Sequence, residues 1–183
     1  MNQTHDTSRN LILIGMPGAG KTTVGKLLAE KLGLCFCDTD DLLQEQYGMT
    51  IAGILDTYGV DGFIERENQL CASVSLTECV IATGGSVVYG REAMRHLSAI
   101  GRIIYLRVSE ETDRGNLSDL PTRGVVMRPG QTFSDLYRER TPLYEKYADL
   151  TVDCDAFRQK NGSATAEAVA GYLSELLAGE CFR

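Results

Sequence analysis

A glycine-rich run, GMPGAGKTT at residues 15 to 23, restricts what this chain can fold into more than any other feature of the sequence. An apolar run precedes it at residues 10 to 15, and apolar residues at helical spacing follow it. The run satisfies G-x-x-x-x-G-K-[ST] between a strand and a helix, the context in which this pattern has a structural meaning. The alternative, a turn with an accidental lysine, would need the full pattern and both flanks to arise by chance. The sequence therefore predicts a P-loop, whose backbone N–H groups surround nucleotide phosphates.

The residues that close this loop have the chemistry that a nucleotide requires. Lys21 is expected to reach the β- and γ-phosphate oxygens, and Thr22 to offer its hydroxyl group to Mg²⁺. A P-loop by itself leaves kinases, GTPases and motor-type ATPases open. Because the chain lacks an N-K-x-D guanine motif and has only 183 residues, a small kinase is favoured.

Short apolar runs alternate with helical patterns along the whole chain. This alternation is typical of an α/β protein whose parallel sheet is covered by helices on both faces. The length suits a single domain, residues 1 to 183. We therefore expect a three-layer α/β/α fold with a five-stranded parallel sheet, its strands near residues 10 to 15, 34 to 38, 79 to 85, 101 to 108 and 149 to 153.

Composition excludes several classes of function. A net charge of -7 leaves no broad basic surface for a nucleic acid, so any phosphate binding must be local. The first ten residues are polar, and residues 1 to 8 are expected to be a disordered tail. The apolar run that follows is too short for a membrane anchor, so none is predicted. Six cysteines without a C-x-x-C pair indicate reduced thiols and a cytoplasmic protein. The expected partner is a small-molecule substrate, and charge and size permit a monomer.

An acidic cluster, FCDTDD, follows the second predicted strand. It places Asp38 and Asp40 at the carboxyl end of the strand, where α/β sheets bind ligands. In an extended segment, residues two positions apart point to the same side. One of the two carboxylates would therefore serve the Mg²⁺ shell, and the other would accept a proton or a hydrogen bond from an attacking hydroxyl group. Alternatively, Asp40 or Asp41 caps a helix that starts at Leu42, a role that suits Asp41 better.

Two later helical patterns each carry one charged residue on the apolar face. In the first, Glu67 shares a stripe with Phe63, Leu70 and Val74. In the second, Arg140 lies at i+7 from Phe133, on the same stripe as Leu136 and Tyr137, and so needs a buried anionic partner. A purely structural salt bridge at Arg140 stays open.

Several ordered motifs together resemble the shikimate kinase family, P-loop kinases of the nucleoside-monophosphate-kinase-like fold. They are GMPGAGKTT, CDTDDLL, GVDGFIERENQ, IATGGS and RTPLYEKYADLTVD, which run from about residue 10 to residue 153. Among them, GVDGFIERENQ corresponds to a Gly-Glu-x-x-Phe-Arg-x-x-Glu pattern, and IATGGS to Thr-Gly-Gly-Gly. The resemblance implies a kinase that uses ATP and Mg²⁺ and phosphorylates shikimate to shikimate 3-phosphate.

The resemblance also implies roles for individual residues on the nucleotide side. Thr22 and Asp38 would serve Mg²⁺. Arg123, in PTRGVV, would be the arginine of a lid formed by residues of about 110 to 131 and would close over the transferring phosphate, with Arg128 as a rival. Arg114 would touch the adenine. ATP would bind to Gly18, Ala19, Gly20, Lys21, Thr22 and Thr23, with Lys21, Asp40 and Arg123 as the catalytic residues.

On the acceptor side, Asp40 would hold the ring hydroxyl groups of shikimate beside the acceptor oxygen. Gly84 and Gly85 would present backbone to the substrate, and Arg140 would pair with its carboxylate. Glu67 and the residue at position 64 complete the implied substrate site.

The chain departs from the family pattern at two positions. Ile64 stands where the family has a second carboxylate-binding arginine, and Ser86 stands where it has a third glycine. A buried Glu67 without that arginine should protonate or find another cation. Three explanations stay open: an amine-bearing acceptor such as homoserine, shikimate with Arg66 or Arg91 approaching from elsewhere, or Glu67 as a structural acceptor of backbone hydrogen bonds. A hypothesis of another class is a non-catalytic nucleotide-binding regulatory module.

Overall fold

The structure is a computed structural model that describes residues 10 to 116, 124 to 157 and 165 to 180, without the side chains of residues 114 to 116, 165, 179 and 180. The expected tail, residues 1 to 8, lies outside the described residues, as does residue 123 with the part of the expected lid from 117 to 123. So does the side chain of Arg114.

Five parallel strands form one sheet at the centre of the molecule. They are β1 (Asn10–Ile14), β2 (Cys35–Asp38), β3 (Cys79–Ala82), β4 (Gly101–Arg107) and β5 (Leu150–Asp153). Their order is β2-β3-β1-β4-β5, and every neighbouring pair is parallel. The predicted fold class is confirmed, because continuous apolar runs such as that of β1 can be buried only between two helical layers.

Helices cover both faces of this sheet. They are α1 (Lys21–Leu32), α2 (Thr39–Tyr47), α3 (Ile51–Ser73), α4 (Arg91–Ile100), α5 (Glu110–Asn116), α6 (Phe133–Tyr147) and α7 (Thr165–Glu180). One apolar core lies between the sheet and α3, α4 and α6, and a second lies between the sheet and α1 and α7. Among the described residues, no helix is both long and apolar enough to cross a membrane.

Local sequence explains where the elements that carry the site begin and bend. Thr50 caps α3 by accepting a hydrogen bond from the N–H of Gly53. Gly59, at φ 68° and ψ 178°, interrupts the helical backbone inside α3, so the part that carries Glu67 has its own direction. A capping box between Thr132 and Asp135 starts α6, the helix that carries Arg140.

The start of α2 differs from the sequence expectation. The helix begins at Thr39 rather than at Leu42, and its N-cap is Asp38, whose side chain accepts from the N–H of Asp40. Asp40 therefore lies in the first helical turn and not in an extended segment beside Asp38, and Asp41 is an exposed residue of the same turn. The N-cap and the predicted metal ligand are the same residue. One carboxylate oxygen of Asp38 satisfies a backbone N–H group, and the other points to Thr22, the second predicted metal ligand.

Candidate active site

A cavity of about 420 Å³ opens at the carboxyl ends of β1, β2 and β3. The P-loop forms one wall, α3 and α6 contribute side chains to the opposite wall, and residues 124 to 126 close one side. Most residues that the sequence singled out line this one cavity: Gly18, Gly20, Lys21, Thr22, Thr23, Asp38, Asp40, Glu67, Gly84, Gly85 and Arg140.

The P-loop needs glycine where its backbone turns into α1. Gly20, the N-cap of α1, has a φ of 83°, which residues with a side chain rarely adopt. At Gly15, a Cβ atom would lie 2.7 Å from the carbonyl oxygen of Leu106. Ala19 does not line the cavity; its side chain packs into the core behind the loop. The conformation therefore leaves the first turn of α1 open to an anion.

Lys21 is held inside the loop by two backbone carbonyl groups. Its Nζ donates to the oxygens of Gly15 and Met16, both at 2.8 Å, and the residue is buried. Burial lowers the pKa of Lys21, and the nearby carboxylates of Asp40 and Asp113 oppose that shift. The ammonium group is thus already positioned at the P-loop before any phosphate arrives.

Thr22 and Asp38, the predicted metal ligands, lie in direct contact. Thr22 Oγ1 donates to Asp38 Oδ2 at 2.7 Å, while Asp38 Oδ1 accepts from the N–H of Asp40 at 3.0 Å. A hydroxyl and a carboxylate are hard oxygen donors, and Mg²⁺ is typically held by one or two such groups together with phosphates and water. The donor set therefore fits Mg²⁺ at the entrance to the loop.

Asp40 is a half-buried carboxylate that lines the cavity. Burial raises its pKa to about 6; repulsion from Asp38 adds to the rise, and Lys21 opposes it. A carboxyl group with this pKa is ionised at neutral pH and can accept a proton or a hydrogen bond from an alcohol.

Glu67 is buried, with 2% of its surface exposed, and a serine hydroxyl rather than a cation is its partner. Ser86 Oγ donates to Glu67 Oε2 at 2.5 Å, and Glu67 Oε1 has no hydrogen-bond partner. Burial raises the pKa of Glu67 to about 8, with repulsion from Asp40 adding to it and the Ser86 bond opposing it. Of the two outcomes expected for a carboxylate that has lost its arginine, the structure favours protonation.

Gly84 lies where the two carboxyl groups approach each other. A Cβ atom there would collide with Glu67 Oε1 and lie 2.7 Å from Asp40 Oδ1. Glycine is therefore required by space, and the oxygens of Asp40 and Glu67 face the same point of the cavity wall.

Glu67 should make the stability of the protein fall as pH rises. Its pKa in the folded state, about 8, lies above the ordinary value of 4.5, so the folded state binds the proton more tightly. The contribution of Glu67 to the free energy of unfolding is complete below about pH 4.5. It decreases between about pH 4.5 and pH 8, by at most about 1.4 kcal/mol per pH unit. Thermal melting of Glu67→Gln should show a smaller loss of stability between about pH 5.5 and 8.5 than the wild type.

The exposed Glu65 on the same helix provides the matched control, Glu65→Gln, which should follow the wild-type curve. Parallel melting curves for wild type and Glu67→Gln across this range would mean that Glu67 is ionised throughout.

Arg140 is buried, with 1% exposed, and one of its nitrogens has no partner. Nε donates to the hydroxyl group of Tyr89 at 3.2 Å, and Nη2 to the carbonyl oxygen of Val126 at 2.5 Å. Nη1 makes no hydrogen bond and lies toward Gly85, where a Cβ atom would come within 3.2 Å of it. No ion pair to Arg140 is present among the described residues, so the guanidinium group can still take an anion from the cavity.

Ile64 does not line this cavity. It borders a neighbouring space of about 190 Å³, together with Tyr89, Arg128 and Glu139. The other arginines considered for the site also lie outside this cavity. The guanidinium group of Arg66 stacks 3.5 Å from the ring centroid of Tyr58, and Arg91 is exposed at the start of α4. Arg128 forms an ion pair with Asp61 at 2.8 Å. Among the described arginines, only Arg140 lines the site cavity.

Sequence reasoning missed a buried carboxyl group near the P-loop. Asp113 is fully buried in α5, both of its oxygens lack a hydrogen-bond partner, and burial raises its pKa to about 7. Residue 113 falls within the expected lid, residues of about 110 to 131, so nothing in the sequence pattern indicated a buried side chain there. Ser86 was noticed as a departure, but only the fold shows what its hydroxyl group touches.

Comparison with known proteins agrees with this geometry. The family model described as shikimate kinase matches residues 17–176. The shikimate kinase of Pasteurella multocida is 37% identical over 151 residues, which cover 80% of this chain and 86% of that protein. That of Vibrio vulnificus is 34% identical over 172 residues, covering 92% and 96%. A solved structure, shikimate kinase from Acinetobacter baumannii in complex with shikimate, superimposes with a TM-score of 0.84 at 30% identity and covers 97% of both chains.

These relatives give no support to the homoserine alternative or to the regulatory module, since the proteins matched are named as kinases of shikimate. With the P-loop, the acidic pair and the inward arginine brought together in one cavity, the chain belongs to the shikimate kinase family and is a small-molecule kinase with an alcohol acceptor.

Proposed function

We propose that this protein transfers the γ-phosphoryl group of ATP, in the presence of Mg²⁺, to a hydroxyl group of shikimate, with shikimate 3-phosphate and ADP as products. One observation carries the proposal: a single cavity joins the P-loop lysine and the Thr22–Asp38 pair to Asp40 and to the unpartnered nitrogen of Arg140. It thus offers phosphate binding at one end and carboxylate binding at the other.

At the nucleotide end, Gly18 to Thr23 supply backbone N–H groups and the positive end of α1. Lys21 Nζ exchanges its two carbonyl partners for β- and γ-phosphate oxygens. Thr22 Oγ1 and Asp38 Oδ2 would hold Mg²⁺, which, when bound, neutralises charge on the β- and γ-phosphates. Arg123 would add positive charge to the phosphates from the lid.

At the acceptor end, Arg140 Nη1 binds the carboxylate of shikimate beside Gly85. This contact fixes one end of the ring, and Asp40 accepts a hydrogen bond from the hydroxyl group at the other. Glu67 Oε1, on the same wall, is available to a further ring hydroxyl group.

Catalysis then depends on position and charge. As the acceptor oxygen forms its bond to the γ-phosphorus, the bond to the β-bridging oxygen breaks and ADP leaves. Asp40 takes the proton of the hydroxyl group, and Lys21 stabilises the negative charge that develops on the phosphoryl oxygens. No enzyme side chain forms a covalent bond in this sequence.

Arg140→Lys should weaken shikimate binding while the fold persists. Lysine keeps a positive charge but loses the planar pair of N–H donors, so the KM for shikimate should rise about 10–100-fold, with a smaller change in the KM for ATP. Arg138→Lys, an exposed neighbour on α6, is the matched control. Equal changes in both KM values would contradict a carboxylate role for Arg140.

A coupled ADP-release assay tests the proposed function itself. Purified protein with ATP and Mg²⁺ should release ADP when shikimate is added and not when homoserine or gluconate replaces it. Turnover of either of the other two with higher kcat/KM than shikimate would overturn the assignment.

The proposal extends to the oligomeric state and the cellular compartment of the protein. One chain supplies every group named above, which supports a monomer. The described cysteines are all free thiols, which supports work in a reducing compartment such as the cytoplasm.

A further inference from the structure

Both positions at which the sequence departs from the family pattern bear on one carboxyl group. Ile64 lies three residues before Glu67 in α3, so it lies on nearly the same face of the helix and offers no charge. Ser86 follows β3, and its hydroxyl group donates to Glu67 Oε2 at 2.5 Å. Glu67 therefore has a neutral donor where an arginine at position 64 could have supplied a cation.

The Ser86 bond decides which oxygen of Glu67 remains available. Ser86 is buried, with 1% exposed, and its hydroxyl group reaches Glu67 within the protein interior. Oε2 is thereby occupied, whereas Oε1 is unpartnered and faces the point of the cavity that Asp40 Oδ1 also faces. A hydrogen bond to one oxygen of a buried carboxyl group restricts its rotation and so limits where the other oxygen can lie.

We propose that Ser86 is a positioning residue for the acceptor: it holds Glu67 by Oε2 so that Oε1 receives a hydroxyl group of shikimate next to Asp40. Ser86 thus does the orienting that a cation at position 64 would otherwise do. This inference rests on the proposed function, because it assigns a role within the same acceptor site.

Other residues do not supply this orientation. Among the described residues no cation pairs with Glu67, and the arginines near α3 are engaged elsewhere, Arg66 on Tyr58 and Arg128 with Asp61. A neutral hydroxyl donor also agrees with the high affinity of Glu67 for a proton, since it places no positive charge beside the carboxyl group.

The test is a set of steady-state measurements on Ser86→Ala. The KM for shikimate should rise about tenfold, while the KM for ATP and kcat stay within about twofold, because the hydrogen bond from Ser86 orients a group that contacts only the acceptor. Ser86→Cys, which keeps a weaker donor, should give an intermediate KM. Ser174→Ala is the matched control, since its hydroxyl group bonds to the carbonyl oxygen of Gly171 far from the cavity.

Two further backgrounds separate positioning from a general structural role. In Glu67→Met, which removes the carboxyl group, Ser86→Ala should change the KM for shikimate less than twofold. Ile64→Arg places a guanidinium group one helical turn from Glu67. The double variant Ile64→Arg/Ser86→Ala should therefore have a KM for shikimate at least about fivefold lower than that of Ser86→Ala alone.

An unchanged KM in Ser86→Ala, or the same rise in the Glu67→Met background, would overturn the inference. If thermal melting shows that Ser86→Ala is unfolded, the same KM comparisons are made with Ser86→Cys in both backgrounds. Failure of the proposed function would look different, because wild-type protein would then not release ADP with shikimate at all.

Discussion

Lys21→Met is expected to lower kcat by about a thousandfold or more without unfolding the protein. The ammonium group is the one side-chain cation that the described P-loop presents, and it already lies at the loop, bonded to the carbonyls of Gly15 and Met16. In the proposed reaction its charge would act on phosphoryl oxygens, and Lys21 is itself buried, so this stabilisation would be worth more than the same charge at an exposed surface.

The measurement is kcat from the ADP-release assay, with thermal melting to confirm the fold. Lys31→Met removes an exposed lysine from the last turn of the same helix and should leave kcat near the wild-type value. Methionine keeps the length of the chain and avoids a cavity, so a loss of rate reports on the charge. Turnover within about tenfold of wild type in Lys21→Met would remove Lys21 from the catalytic step.

Asp40→Asn is expected to lower kcat by about a hundred- to ten-thousandfold. Asparagine fills the same space and accepts a hydrogen bond, but it cannot take the proton that leaves the acceptor hydroxyl group. Asp40 faces the cavity wall at Gly84, and its charge acts on Lys21. The substitution therefore changes a group inside the site cavity rather than one at a distance from it.

The pH dependence provides a second readout for Asp40. Its pKa is raised to about 6, and only the ionised carboxylate can accept a proton, so kcat/KM for shikimate should rise with pH through about 6 and then level off. Asp40→Asn should lack this rising limb. Asp41→Asn, an exposed neighbour in the same turn, should keep it. A wild-type profile that is flat across this range would exclude Asp40 as the proton acceptor.

Much of the fold and part of the site follow from local pattern. The P-loop is recognisable because its glycines, lysine and threonine are contiguous, and the buried strands because each is a short apolar run. Glu67 and Arg140 were identified as inward-facing from helical spacing alone, and both are almost completely buried. Spacing along one element determines which face a side chain occupies, and that property needs no knowledge of the neighbours.

The points at which the structure differs from the sequence expectation, or adds to it, have a different origin. Helix α2 begins three residues earlier than expected because Asp38 can cap it and still contact Thr22, a contact between segments 16 residues apart. Asp113 escaped notice because its burial depends on the elements packed around α5. Ile64 was assigned to the substrate site by its position in a motif, yet it borders the neighbouring cavity.

What the sequence by itself determined is the P-loop, the parallel sheet and the presence of a carboxylate and an arginine on apolar helix faces. Only the tertiary structure decided their partners. Ser86 meets Glu67 because the segment after β3 packs against α3, and Arg140 Nη1 lies toward Gly85 because α6 packs against the same segment. Such contacts join residues distant in the chain, and their distances are set by how helices pack on the sheet rather than by any local preference.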